Sequence, residues 1–122
     1  INNAGVNLDE GRKASEVPVD AIRETYEVNV FNVIALIQAA LPLLEKSPAG
    51  RIMNLSSILG SLTYNSDPKA PLGDWRLLGY NSSKTALNAV TAIFSYELRN
   101  SKIKINSAHP GWVKTCLLYT SD

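Results

Sequence analysis

Apolar residues recur at steps of three and four along residues 18–44, which predicts a long helix with one apolar face. The apolar positions are Ile22, Tyr26, Val30, Val33, Ile37, Leu41 and Leu44. Pro18 is acceptable in the first turn of a helix, and Asp20 favours the helix N-terminus. A second helical pattern runs from Tyr80 to Arg99. Its apolar positions are Leu87, Val90, Ile93, Phe94 and Leu98.

Short runs between turn residues predict strands. Arg51–Leu55 is expected to form a buried strand, and residues 103–108 a last short one. Residues 1–5 are typical of a strand end that runs into a glycine turn. The order strand, helix, strand, helix, strand predicts an α/β fold with adjacent parallel strands and right-handed crossovers. We expect both helices on one face of this sheet or at its edge.

Two segments show neither the helical nor the strand pattern of apolar residues. Residues 6–17 are polar and charged, which predicts a surface loop. Ile58–Gly79 contains three glycines and two prolines, with Tyr64 and Trp75 between them. We expect a long loop there, and long ordered loops are usually functional.

Composition and charge limit the classes of protein to which the chain can belong. The chain has 122 residues, enough for one domain, with 45% hydrophobic and 19% charged residues, as in soluble globular proteins. A net charge of +1 gives no field that would attract nucleic acid or anionic lipid. Polar residues and Pro42 interrupt the apolar stretch Val28–Leu44, which argues against a membrane span. The lone Cys116 and the lack of Cys/His clusters predict no disulfide, no metal and a reducing compartment, the cytoplasm.

Tyr80 and Lys84 are four residues apart at the start of a helix, so their side chains can meet. A free tyrosine has a pKa of about 10 and is a poor base near neutrality. An ammonium at about 4 Å, with an effective dielectric of about 20, lowers that pKa by about three units before desolvation is subtracted. The pair therefore predicts an acid/base tyrosine. The alternative is an ordinary solvated helix face.

Other candidates are weaker when taken alone. Ser57 ends a buried strand, where ligands bind in open parallel sheets, but a serine there can also be a turn or cap residue. Asn29 lies on or beside the apolar stripe of the first helix, so it needs hydrogen-bond partners and is either functional or a structural or kinking amide. His109 precedes a turn and is expected to be structural. Trp75 and Trp112 are candidates for the wall of a substrate site or for core cover.

Five motifs in order resemble the classical short-chain dehydrogenases and reductases. They are Asn2-Asn3-Ala4-Gly5, the helix-borne Asn29, Ser57 in Asn-Leu-Ser-Ser, Tyr80-Asn-Ser-Ser-Lys84, and Pro110-Gly111-Trp112-Val113-Lys114-Thr115. The resemblance covers residues 1–115. It implies the C-terminal part of a doubly wound, Rossmann-like nucleotide-binding domain, with about three strands and two long helices. Two departures are the longer gap between Ser57 and Tyr80 and Asn32, where the family commonly has glycine.

The resemblance also implies a catalytic group. Tyr80 would exchange a proton with the substrate oxygen while hydride passes between the substrate carbon and NAD or NADP. Ser57 would orient that oxygen. Lys84 would lower the tyrosine pKa and bind the nicotinamide ribose, and Asn29 would hold a water that connects Lys84 to solvent. The implied function is oxidoreduction of a small carbonyl or alcohol substrate.

Two further segments are implied to bind the cofactor. Residues Asn2, Asn3, Ala4 and Gly5 would lie near the adenine-side ribose. Residues Pro110, Gly111, Val113 and Thr115 would approach the nicotinamide amide. The long helices of this family commonly pack against another subunit, so the whole protein is expected to be a homo-oligomer.

Two alternatives stay open: a regulatory protein that binds the cofactor without turnover, and a sugar-nucleotide epimerase or dehydratase of the related extended family. The glycine-rich phosphate turn and the residue that selects NAD or NADP do not occur in this sequence, so we expect the N-terminal half of the domain to be missing. Residues 116–122 resemble a translated sequencing adapter and are expected to be non-native.

Overall fold

The centre of the fold is a parallel pair of strands. A computed structural model of the chain describes residues 1–70 and 75–109. Strand β1, Arg51–Leu55, pairs with β2, Lys104–Ala108, with Ile52 opposite Ile105. The parallel arrangement predicted from the order of elements is confirmed.

Residues 1–5 form an isolated bridge rather than a strand. The Asn2 amide donates to the carbonyl of Met53 at 2.8 Å, and the Leu55 amide donates to the carbonyl of Asn2 at 3.1 Å. The predicted strand end is therefore only one residue pair long, because only Asn2 reaches the ladder. Since β1 lies between Asn2 and β2, the expected adjacency of the three segments holds.

The first long helix spans Val19–Leu44 without interruption. It consists of α1, Val19–Tyr26, a π-helical turn, Glu27–Phe31, and α2, Asn32–Leu44. The helix was predicted, whereas the π turn was not. By length and composition it could also cross a membrane, with a mean hydropathy of 1.6, but a core helix of a soluble protein passes the same test.

A short helix, α3, spans Leu62–Ser66, and the second long helix, α4, spans Leu78–Glu97. It begins two residues before the predicted start at Tyr80. Together with α2 it covers one face of the sheet, as expected. The shared core contains Val33, Ile37, Ile52, Leu87, Leu98, Ile103 and Ile105. Met53, on the other face of β1, is exposed.

The predicted loop 58–79 is more ordered than expected. It contains a 3-10 turn, Ile58–Gly60, and the short helix α3, Leu62–Ser66. Two serine hydroxyls cap these elements: Ser57 accepts from the Leu59 amide, and Ser61 accepts from the Tyr64 amide, both at 3.1 Å. These elements are stabilised by side-chain caps and are too short to show the apolar periodicity that marks a longer helix.

The segment 6–17 is irregular, as predicted, but it is not wholly on the surface. Asp9 and Val17 are both buried. A buried carboxylate needs compensating hydrogen bonds, so Asp9 must have partners in the interior.

Candidate active site

Ser57, Tyr80 and Lys84 come together at the carboxyl end of β1. Ser57 is the second residue after the strand, and the other two lie in the first two turns of α4. The Ser57 hydroxyl lies close enough to the Tyr80 phenol for a hydrogen-bonding interaction that lowers the pKa of the phenol. Nζ of Lys84 lies 5.7 Å from the centroid of the Tyr80 ring. The structure thus juxtaposes the three side chains, and their catalytic roles stay predictions.

Lys84 is held in a buried position, with 4% of its surface exposed. Its ammonium donates to the carbonyl oxygen of Leu55 at 3.0 Å. Burial lowers the pKa of Lys84 to about 8. The turn after Ser57 presses directly on this part of α4, because a Cβ on Gly60 would lie 2.9 Å from the carbonyl carbon of Lys84. Glycine is therefore the residue that fits at position 60.

The direction of the tyrosine pKa differs from the expectation. Burial raises the pKa of Tyr80, and the hydrogen bond with Ser57 lowers it by less. The prediction that Lys84 lowers this pKa is therefore not met in the structure. The physical reason is that desolvation of the phenol dominates. A phenol with a raised pKa is protonated at neutral pH.

Asn29 is completely buried at the π turn of the long helix. Its Oδ1 accepts from the Val6 amide at 2.8 Å, and its Nδ2 donates to the Val6 carbonyl at 2.9 Å and to Oγ of Ser83 at 3.0 Å. The Ser83 hydroxyl in turn donates to the carbonyl of Tyr80 at 2.7 Å. Asn29 is thus a satisfied amide at a helix irregularity, and it connects the residue after the Asn-Asn-Ala-Gly motif to the tyrosine-bearing helix.

The Asn-Asn-Ala-Gly motif lies beside the end of β1. Nδ2 of Asn2 donates to Oδ1 of Asn54 at 2.7 Å, so this side chain ties the motif to the strand. Asn3 and Ala4 are exposed, and Gly5 is half-buried. Contact of this motif with a cofactor stays a prediction. The other predicted cofactor segment, with Pro110, Gly111, Val113 and Thr115, lies outside the described residues, as does Trp112.

The segment after Ser57 packs around the candidate tyrosine. Leu59, Tyr64, Leu77 and Tyr80 form a buried cluster, and Trp75 packs against it. Trp75 therefore covers this small core, and a role in lining a substrate site stays a prediction.

His109 accepts a hydrogen bond through Nδ1 from the amide of Ile58 at 3.3 Å. It therefore supports the turn that follows Ser57. This contact agrees with the structural role expected for the histidine.

Two polar residues near the site were missed by sequence reasoning. The Asp9 carboxylate accepts from the amides of Gly79 and Tyr80, both at 2.9 Å. Nδ2 of Asn81 donates to Oδ1 of Asn65 at 2.8 Å, which fastens the loop to α4. The one signal in the sequence was negative: none of Leu77, Leu78 and Gly79 before Tyr80 has a side chain that can cap a helix, so the first amides of α4 had to find an acceptor elsewhere.

No group of three or more His, Cys, Asp or Glu that could hold a metal ion occurs within residues 1–70 and 75–109.

The sequence from residue 1 to residue 121 matches the family described as short chain dehydrogenase. The chain belongs to the short-chain dehydrogenase family. Within this family, the short-chain dehydrogenase anuI of Penicillium roqueforti is 35% identical over 94% of this chain and 46% of its own length.

Solved structures of short-chain dehydrogenase family members share the fold. The NADPH-bound carbonyl reductase from chicken fatty liver has a TM-score of 0.81 and 31% identity, over 95% of this chain and 46% of that one. The carbonyl reductase Sniffer of D. melanogaster has a TM-score of 0.76 and 36% identity, over 93% of this chain and 47% of that one. The expected fold, part of a Rossmann-like parallel sheet, is confirmed. The chain spans less than half the length of these three relatives.

Proposed function

We propose that the whole protein is an oxidoreductase that interconverts a small carbonyl compound and its alcohol with NAD or NADP. The observation that carries the proposal is the meeting of Ser57, Tyr80 and Lys84 at the carboxyl end of β1. This is the edge of a parallel sheet where ligands bind. Similarity to two carbonyl reductases supports the substrate class.

The residues present fit a nicotinamide cofactor. An ammonium has three donors, and the Leu55 carbonyl is the one hydrogen-bond acceptor that Lys84 contacts within the described part of the chain. Its other donors are available for ribose hydroxyls. The exposed Asn3 and Ala4 offer a second contact surface beside the strand end. When bound, the cofactor supplies or takes up the hydride.

Tyr80 is the proton donor in the proposed reduction. Its raised pKa keeps the phenol protonated at neutral pH, so it can give a proton to the substrate oxygen. Ser57, already hydrogen bonded to Tyr80, orients the same oxygen. In the oxidation direction the phenolate form of Tyr80 accepts the proton. The Lys84 ammonium, 5.7 Å from the ring centroid, would attract that anion, but in the structure burial outweighs this attraction.

Asn29 is proposed to hold a water between Lys84 and solvent. Its side chain is already occupied by Val6 and Ser83, so the water contact would come from its main chain. The π turn at Glu27–Phe31 supports this assignment, because such turns interrupt the regular pattern of main-chain hydrogen bonds and are frequent at functional sites.

The assay follows NADH and NADPH separately by absorbance, with a panel of ketones and aldehydes and, in reverse, alcohols. We expect turnover by the whole protein, and a loss of about 10²- to 10⁴-fold in Tyr80→Phe with cofactor binding nearly unchanged. Near-normal turnover in that variant would refute the tyrosine assignment. Cofactor binding without any turnover would support the regulatory alternative, and nucleotide-sugar conversion without net cofactor change would support the epimerase.

We also propose that the whole protein is a homo-oligomer built through its long helices. Large apolar side chains on α2 and α4 are exposed, Leu36 at 56%, Leu43 at 70% and Ile93 at 70%. Together with Phe31 at the π turn, these side chains expose apolar surface that a second subunit would bury. A monomeric mass by light scattering at micromolar concentration would contradict this proposal.

A further inference from the structure

A buried carboxylate caps the helix that carries Tyr80. Asp9 is 1% exposed, and its two oxygens accept from the amides of Gly79 and Tyr80, both at 2.9 Å. These amides belong to the first turn of α4, which no side chain of its own cap residue, Leu77, satisfies. A residue from the distant segment 6–17 thus does the work of an N-cap and complements the positive end of the helix.

The carboxylate is itself held in place. The Asp9 amide donates to Oδ1 of Asn7 at 3.2 Å, and Nε of Arg12 donates to the main-chain carbonyl of Asp9 at 3.0 Å. Arg12 makes its ion pair with Glu10, and no cationic side chain pairs with the Asp9 carboxylate among residues 1–70 and 75–109. Within this described part of the chain, the carboxylate therefore has the amides of Gly79 and Tyr80 as its hydrogen-bond partners.

Gly79 allows this close approach. A Cβ at position 79 would lie 3.1 Å from Oδ1 of Asp9, tighter than an ordinary contact. The segment that contains Asp9 is also bound to Asn29, because Val6 makes two hydrogen bonds with the Asn29 side chain. The chain between Val6 and Asp9 therefore contacts both the π turn and the first residues of α4.

We propose that Asp9 is a positioning residue that sets the first turn of α4, and through it the place of the Tyr80 phenol relative to Ser57 and Lys84. This inference rests on the proposed function. Misplacing a catalytic group by about 1 Å can cost about 100-fold in rate. Asparagine keeps one acceptor and alanine keeps none, so we expect kcat to fall about tenfold in Asp9→Asn and about 100-fold in Asp9→Ala, with KM nearly unchanged.

The test compares the whole protein with Asp9→Asn, Asp9→Ala and the control Asp20→Asn, which changes an exposed aspartate in the first turn of α1. Cofactor titration counts the folded sites, and kcat is expressed per site. A purely structural cap would lower the number of sites and the urea midpoint but not kcat per site. An unchanged kcat per site in both Asp9 variants would overturn the inference.

A second variant covers the case in which the Asp9 variants do not fold. Gly79→Ala keeps the cap and displaces the carboxylate by a few tenths of an ångström. We expect kcat per site to fall several-fold while the protein stays folded, and an unchanged value would contradict the proposal.

A third measurement does not depend on turnover, so it separates failure of this inference from failure of the proposed function. Fluorotyrosine is incorporated, and the fluorine NMR signal of Tyr80 is assigned by its loss in Tyr80→Phe. The signal should move in Asp9→Asn and Gly79→Ala and stay in place in Asp20→Asn. A Tyr80 signal that does not respond to either change at the cap would refute the positioning role, whether or not a substrate has been found.

Discussion

Replacing the buried lysine with methionine should change how stability depends on pH. In the folded chain burial lowers the pKa of Lys84 from 10.5 to about 8. This difference corresponds to about 3 kcal/mol, the cost of keeping the ammonium buried at neutral pH. Lys84→Met removes that cost but also the hydrogen bond to Leu55, worth about 1–3 kcal/mol. At pH 7 the variant should therefore equal or exceed the wild type in stability, although it should have lost turnover.

The sign of the pH dependence follows from proton binding. Between pH 8 and 10.5, Lys84 is mostly neutral in the folded state and mostly protonated in the unfolded state. The unfolded wild type then binds more protons, so its stability rises with pH across this window. The methionine variant lacks this gain. Its free energy of unfolding relative to wild type should fall by about 3 kcal/mol between pH 7 and pH 10.5.

Urea unfolding of the cofactor-free whole protein, at several pH values across that window, measures the difference directly. Ionisable groups that do not contact Lys84 titrate equally in both proteins and cancel. Lys46→Met is the matched control, because Lys46 is exposed near the end of α2. A difference between wild type and Lys84→Met that does not vary with pH, or that varies equally in the control, would refute the assignment of a buried ammonium.

Three further outcomes are expected. Gly60→Ala should destabilise the protein by about 1–3 kcal/mol in urea unfolding, because its Cβ meets the Lys84 main chain at 2.9 Å; a stability equal to wild type would mean that the turn yields easily. Asn29→Ala should cost about 2 kcal/mol in the same assay, since the two partly buried main-chain groups of Val6 lose their partners, and a much smaller loss would point to replacement by water. The 122-residue chain by itself should not bind NADH measurably in a fluorescence titration, because it contains no glycine-rich phosphate turn; tight saturable binding would contradict this expectation.

The elements that sequence predicted well are those whose burial leaves a periodic pattern. Val33 and Ile37 mark the buried face of the long helix, and Ile52 and Ile105 mark the two paired strands. Because the order of elements fixes which strand ends share an edge, the meeting of the candidate catalytic side chains was predictable as well.

The features that sequence missed depend on contacts between distant residues. Asp9 caps a helix that begins about 70 positions later, and no local pattern connects the two. The direction of the Tyr80 pKa depends on how much solvent the fold removes from the phenol, which cannot be read from its spacing to Lys84. The capping serines of loop 58–79 look like ordinary loop residues until the amides that they bind are known.

The π turn gives the long helix one more residue than a regular helix of the same rise would use. Loss of a single residue between Glu27 and Phe31 would therefore turn this stretch into regular α-helix and leave α1 and α2 in their present phase. Tyr26, whose hydroxyl donates to Oγ of Ser82 at 2.8 Å, would keep its direction towards the tyrosine-bearing helix. Elsewhere in Val19–Leu44 the loss of one residue would rotate one part of the helix against the other by about 100°. In alignments with relatives, a one-residue gap in this helix is therefore expected at the π turn and not on either side of it.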